Sequence, residues 1–182
     1  MMREPSEQDK EFYRLAREHI NRQKQYFLSH ASGEVLEIGP DKIKRGTNFR
    51  KTLDIVEGCD YQEDITRYTG ICSSSFDIVL CQEVLEHTVN PYAAIDEIRR
   101  ILRPGGLLLA SSPLNFRIHG PQPDCWRFTE HGIRVLMCNW DDVVINALES
   151  DRFLFPIHYN WSARCNKEKS VDPRTLKWRF IT

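Results

Sequence analysis

The chain has 182 residues, 41% of them hydrophobic and 28% charged, with a formal net charge of −1. That is one domain's worth of sequence with enough apolar residues for a sizeable core. The charge balance offers no electrostatic case for bulk nucleic-acid binding. No apolar run approaches membrane-spanning length, and the polar stretch from Met1 to Phe12 does not read as a signal peptide. The expectation is a cytoplasmic protein without membrane insertion. The cysteines, at 59, 72, 81, 125, 138 and 165, form no C-x-x-C pair, and several lie in apolar runs. Reduced, buried thiols fit that pattern. Cysteines and histidines never cluster at ligand spacing along the chain, so no metal is expected.

In chain order, Ser6-x-x-Asp9 has the form of a capping box. Phe12, Leu15, Ala16, His19, Tyr26 and Phe27 then recur at helical spacing, which predicts an amphipathic helix over about 8–28. A first strand is expected over 34–38, a second from Thr52 to Val56, and a short extended piece from Tyr61 to Ile65. Residues 40–50 are polar and basic without periodicity. Ser73-Ser74-Ser75 signals a turn before a strand from Phe76 to Cys81. Asn90-Pro91 starts a helix whose marked face is Tyr92, Ile95, Ile98 and Leu102, and Pro104-Gly105-Gly106 stops it. Leu107 to Ala110 reads as a buried strand, Thr129-Glu130 opens a helix to about Met137, and Asp142 to Leu148 reads as a strand. A weak strand signal follows from Phe153 to His158. Residues 1–162 are expected to form one domain. Residues 163–182, with six Lys/Arg against two acids, are expected to be a basic, partly ordered tail.

Strands alternating with helices predict a largely parallel sheet with its ligand beyond the strands' C-terminal ends. The informative segment there is Val35-Leu36-Glu37-Ile38-Gly39-Pro40. A strand ends in a glycine turn, which lets a ligand approach the backbone closely, and a carboxylate stands two residues before it. The G-x-G-x-x-G fingerprint of pyrophosphate binding is absent. A ligand with ribose and adenine but no phosphate is favoured, and S-adenosylmethionine fits.

Leu36-Glu37-Ile38-Gly39, Leu53-Asp54-Ile55, Asp64-Ile65, Ser75-Phe76-Asp77-Ile78-Val79 and Glu83-Val84-Leu85-Glu86-His87 occur in that order, followed by Glu97-Ile98-x-Arg100-Ile101-Leu102-x-Pro104-Gly105-Gly106. Over residues 34–112 the chain resembles the small-molecule branch of the class I S-adenosylmethionine-dependent methyltransferases. The resemblance implies a Rossmann-like, doubly wound, mostly parallel seven-stranded sheet and a transferase that uses this cofactor. It places Glu37 and Gly39 beside the cofactor's methionine part. Asp54 would face the ribose hydroxyls, Asp64 the adenine amino group with Ile65 packing nearby, and Gln82 and Glu83 would lie under the sulfonium. Each acid has a plainer reading: Asp54 as a turn residue, Asp64 as a cap. Pro40 and Asp41 stand where relatives often carry further glycines, which leaves open a degenerate, non-catalytic site.

The loop His119-Gly120-Pro121-Gln122-Pro123-Asp124-Cys125-Trp126-Arg127-Phe128-Thr129 resembles an Asp-x-Trp-Arg-Phe-Thr pattern of methyltransferases associated with polysaccharide and glycan synthesis. It implies O-methylation of a sugar or glycan hydroxyl. Trp126 would stack on the sugar ring and Arg127 would hydrogen-bond it. Alternatively, Trp126 and Phe128 are core and Arg127 is a structural ion-pair partner. His119, Asp124 and His87 are the candidates to take the acceptor's proton, with His87 alternatively capping the helix that follows it. Two other functions stay open: methyl transfer to another small molecule or a protein, and cofactor binding without activity.

Overall fold

We describe a computed structural model, which covers residues 6–30, 32–40, 46, 50–121, 123–150 and 155–177. Helix α1 spans Glu7–His30. Its outer face carries ion pairs one turn apart, such as Arg14 with Glu11 and Glu18. Strand β1, Val35–Ile38, is buried throughout. It pairs in parallel with β2, Arg50–Asp54, on one side and with β4, Phe76–Gln82, on the other. A strand enclosed in this way must be apolar on both faces, which is why Glu37 needs the partners described below. Strand β3, Tyr61–Gln62, pairs with the end of β2. The second strand was expected two residues later than it lies. Pairing with β1 recruits Arg50 and Lys51, while Ile55 and Val56 are 68% and 43% exposed beyond it. Here the neighbouring strand, and not apolar content, sets the register.

Helix α2, Pro91–Ile101, follows β4. Asn90 caps it, its side chain accepting from the Ala93 N–H at 3.1 Å. Its buried face is Pro91, Ala94, Ile95, Ile98 and Ile101, with Glu97 among them, whereas Tyr92 is 54% exposed. Tyr92 therefore lies outside the face assigned to it, because the 3.6-residue period runs through 91, 95, 98 and 101 instead. The helix ends at Ile101. Strand β5, Leu102–Pro113, begins at once and carries Pro104-Gly105-Gly106 within it. Gly105 takes a φ of +76°, and the β4–β5 pairing shifts register between Phe76 and Ile78. Helix α3, Glu130–Leu136, is capped by Thr129.

Strands β6, Asp141–Leu148, and β7, His158–Arg164, form an antiparallel pair. β7 lies between β5 and β6, giving the seven-stranded order β3-β2-β1-β4-β5-β7-β6. The fold is thus the Rossmann-like α/β sheet that was expected. The last strand falls later than the signal at Phe153 to His158, whose residues 151–154 lie outside the described residues. β7 escapes an apolar criterion because His158 and Asn160 are buried in it.

The segment expected as a basic tail from residue 163 starts inside β7 and continues along the sheet's flank. Arg99 donates to the carbonyls of Asn166 and Lys169 at 2.8 and 2.7 Å, and Lys169 pairs with Asp141 at 3.0 Å. Residues 178–182 lie outside the described residues.

The larger apolar core lies on the side of α2 and α3, where Ile98, Ile101, Ile133, Trp140 and Trp161 are buried together. A smaller cluster of Val35, Ile78, Leu80, Leu107 and Leu109 occupies the opposite face. α1 crosses β5 and β7 and buries Ile20. The six cysteines are unbonded. Cys59, Cys81 and Cys165 are buried as expected, whereas Cys72 and Cys125 are exposed.

One buried acid holds the irregular segment before β4. Glu97 accepts from Thr69 N–H and Oγ at 2.7 and 2.6 Å and from Arg100 at 2.7 and 2.8 Å. Arg100 also donates to the Ile71 carbonyl at 2.7 Å and lies over the Tyr68 ring at 4.2 Å. Glu97→Ala would strand the Thr69 donors and a cation in the interior, a loss of about 3 kcal/mol. Urea unfolding measures it, and a loss below ~1 kcal/mol would show that the latch is dispensable.

Candidate cofactor and acceptor site

The ends of β1, β2 and β4 converge at one edge of the sheet. β1 ends at Gly39, whose N–H donates to the Leu53 carbonyl at 2.9 Å and whose φ is +63°. A Cβ there would meet Val84 Cγ2 at 2.5 Å. Both backbone angle and space require glycine at this position.

Glu37 is 6% exposed and receives Lys24 from α1 and Arg50 from β2. Burial opposes its charge, but the two cations and their hydrogen bonds outweigh burial and hold its carboxyl below the usual range. A shallow cleft opens between α1 and the strand ends, lined among others by Ile20, Lys24, Glu37, Gly39, Gln82 and Glu83. Within it, Gln82 Nε2 is buried without a hydrogen-bond partner among the described residues.

Asp54 ends β2, half-buried, and its carboxylate accepts from the Val56 N–H at 3.3 Å. The Asp54 carbonyl accepts from the Glu63 N–H at 3.0 Å, which brings the next loop alongside. Asp64 in that loop accepts from Thr66 N–H and Oγ at 2.9 and 2.7 Å and pairs with Arg67 at 3.3 Å. Its carboxylate therefore already holds a turn. Ile65 is buried in the large core cluster.

Glu83, just past β4, takes a φ of +58°, unusual for a residue with a side chain. Its carboxylate meets His158 Nε2 at 2.6 Å and the Ser111 hydroxyl at 2.9 Å. Burial opposes ionisation there, yet His158 and Ser111 keep the carboxyl on the low side.

The loop after β5 folds back on this edge. Cys125 and Trp126 N–H groups donate to the Glu86 carbonyl at 2.7 and 3.2 Å. Asp124, with no exposed side chain, accepts two hydrogen bonds from Arg127, at 2.6 and 2.8 Å, and one from the His119 N–H at 2.8 Å. Arg127 holds its carboxyl far below the ordinary range. Arg127 also donates to the carbonyls of Trp126 and Arg117, so its guanidinium is engaged within the protein, the ion-pair role of the two that the sequence left open. Trp126 is anchored by Nε1 to the Thr88 carbonyl at 2.8 Å, lies against Phe128 at 6.2 Å with an 18° tilt, and remains 40% exposed. His87 does not cap α2, since its Nδ1 faces the Pro123 carbonyl at 3.0 Å. His87, His119 and the fully buried Glu86 come together within 4.8 Å.

The structure thus gathers Glu37, Gly39, Gln82 and Glu83 at one cleft, and His119, Asp124, Trp126 and Arg127 on the loop after β5, with His87 against that loop from the turn after β4. Lys24, Arg50, Ser111, His158 and Glu86 were not singled out from sequence. Their only signal was a buried acid needing cations and a polar pattern in β7.

Residues 25–110 match a family model described as a methyltransferase domain. Among curated proteins, a ubiquinone biosynthesis O-methyltransferase of Cereibacter sphaeroides is 36% identical over 77 residues, 41% of this chain and 31% of that protein. The chain thus spans about a third of the length of the curated relatives it first matches. A probable polyketide synthase of Dictyostelium discoideum is 31% identical over 104 residues, 54% of this chain and 4% of that protein. Among solved structures, the N-methyltransferase NodS of Bradyrhizobium japonicum in complex with S-adenosyl-L-homocysteine is similar, with a TM-score of 0.59 and 18% identity. That match covers 85% of this chain and 88% of NodS. A methyltransferase from Archaeoglobus fulgidus has a TM-score of 0.61 at 13% identity, covering 82% and 94% of the two chains. The matched segment resembles a methyltransferase domain, and the fold is shared with these solved structures, one of which holds S-adenosyl-L-homocysteine. The residues present fit it: a buried amide donor without a partner, a glycine turn and an open cleft at the strand ends.

Because Glu37 is held ionised, its contribution to stability is present above the ordinary carboxylate value, about 4.3, and is lost as pH falls through its lower folded value. Glu37→Gln should be about 2 kcal/mol less stable at pH 7, since two cations lose their partner. The gap should narrow below about pH 4. Thermal unfolding across pH measures this; a gap constant from pH 7 to 3 would remove the ionised carboxylate from the account.

Proposed function

We propose that the protein is an S-adenosylmethionine-dependent methyltransferase acting on a hydroxyl group of a small molecule, with a sugar or glycan ring as acceptor. The observation that carries this reading is continuity. Glu83 lines the cleft with Glu37, Gly39 and Gln82, and three residues further along the chain the Glu86 carbonyl accepts from the Cys125 and Trp126 N–H groups of the loop that bears His119 and Asp124. The similarity to ubiquinone O-methyltransferases supports oxygen as the acceptor atom. The exposed face of Trp126 supports a ring that can stack.

When bound, the cofactor supplies an activated methyl group on a sulfonium. Asp54, at the end of β2, would accept from ribose hydroxyls. Gln82, whose buried amide has no partner among the described residues, would help to hold the methionine part. Glu83 stays anionic beneath the site through His158 and Ser111. Asp64 keeps the turn beside Asp54 and so shapes the adenine end. At the acceptor end the protein's work is to align the attacking oxygen and remove its proton. Asp124 is a poor proton acceptor, because Arg127 stabilises its anion. It positions His119, and the proton leaves at the His87–His119 cluster.

Asp54→Ala should weaken binding of S-adenosylhomocysteine at least about tenfold, since hydrogen bonds to a charged acceptor are worth about 1.5–3 kcal/mol each. Calorimetry on the folded variant decides, and unchanged affinity would move the ribose elsewhere. Trp126→Ala should raise KM for a sugar acceptor while leaving cofactor affinity intact. If the change instead lowers Tm and cofactor binding together, Trp126 is a packing residue and the sugar reading fails.

A further inference from the structure

We propose that Glu86, His87 and His119 form a binding site for one divalent transition-metal ion of the Zn²⁺ class, at the acceptor end of the cleft. One potential ligand atom from each residue lies within 4.8 Å of the others. His87 Nε2 is 4.0 Å from Glu86 Oε1, and the two imidazoles meet edge to face at 4.9 Å. Tetrahedral bonds of about 2.0–2.1 Å imply ligand separations of about 3.3 Å, so closure needs side-chain shifts of about 1 Å or less.

Two independent features point to a cation. The first is Glu86. It is fully buried, and neither carboxylate oxygen has a hydrogen-bond partner among the described residues. Burial and the negative charge of Glu83 oppose its ionisation and outweigh the Arg127 charge and the Ser112 hydroxyl, which lie close enough to favour the anion. A buried carboxylate in this setting lacks compensation, and a divalent ion supplies it. The second feature is how the imidazoles are held. Histidines that bind metals donate their other ring N–H to a carboxylate or a backbone carbonyl. His87 Nδ1 faces the Pro123 carbonyl at 3.0 Å, which places its proton there and turns the Nε2 lone pair toward Glu86. His119 Nδ1 faces Asp124 Oδ2 at 3.2 Å, and Asp124 is fixed in turn by both arms of Arg127. The His87 ring thus has one of the usual outer partners, and the His119 ring lies beside a carboxylate without a hydrogen bond to it at Nδ1. The two hydrogen bonds to the Glu86 carbonyl stitch this loop to the carboxylate.

Two nitrogens and one oxygen suit Zn²⁺, Co²⁺, Mn²⁺ or Fe²⁺ better than the all-oxygen sets of Ca²⁺ and Mg²⁺. Three protein ligands leave a fourth position open. The site's task rests on the methyltransferase reading: an acceptor hydroxyl at the open position becomes more acidic. Ligated imidazoles do not act as the base, so the hydroxyl's proton would pass to solvent water at this cluster, and Asp124 and Arg127 would act as positioning residues. The expectation of no metal rested on spacing along the chain, and His119 reaches the site from another loop.

The test uses the full chain, stripped with a chelator and titrated with Zn²⁺ and Co²⁺ without any cofactor. The expected result is one metal ion per chain, visible d–d absorption with Co²⁺, and a higher Tm with Zn²⁺. Glu86→Gln, nearly isosteric, and His119→Ala should each lower affinity by about a hundredfold or more, and Asp124→Asn by about ten- to a hundredfold. Absence of stoichiometric metal, or unchanged affinity in folded Glu86→Gln and His119→Ala, overturns the site and leaves Glu86 a neutral buried acid. Metal content is read without methyl transfer. Failure to bind S-adenosylhomocysteine therefore counts against the methyltransferase reading alone.

Discussion

Glu37 is the constraint on which the site depends. A carboxylate in the middle of a doubly flanked parallel strand is costly unless its charge is compensated. The compensation comes from two distant places, Lys24 on α1 and Arg50 at the start of β2. The same ion pairs fix the roof of the cleft over the strand ends and hold β2 beside β1, which sets Asp54 at its position. Local charge balance thus becomes the geometry of a ligand site.

A related logic operates past β4. There the chain turns through a left-handed residue at Glu83, and three acids, Glu83, Glu86 and Asp124, are gathered within one region. Each is handled differently. Glu83 is balanced by His158 and Ser111, and Asp124 by Arg127. Glu86 has no such partner. Satisfied acids scaffold the site, and the unsatisfied one marks where something else belongs.

The same contrast explains the last strands. β7 lies between β5 and β6 although it carries His158 and Asn160 inward, because His158 completes Glu83 and the backbone completes the sheet. In the chain that follows, Lys167 donates to the Arg100 carbonyl of α2 and Lys169 pairs with Asp141 of β6.

The sequence by itself determined the parallel sheet, the glycine turn at Gly39 and the Asn90 and Thr129 caps. These are signals written in neighbouring residues: apolar runs, caps and turns act within one or two turns of chain. Tertiary structure alone decided the start of β2 at Arg50, the burial of β7 and the engagement of Arg127 by Asp124. It also decided the meeting of Glu86, His87 and His119. The physical reason is common to all but the Asp124–Arg127 pair, which is only three residues apart and is set by the fold of its own loop. Strand register and charge compensation are settled between segments far apart in sequence, where a carboxylate takes whichever cation or imidazole the fold brings within about 4 Å.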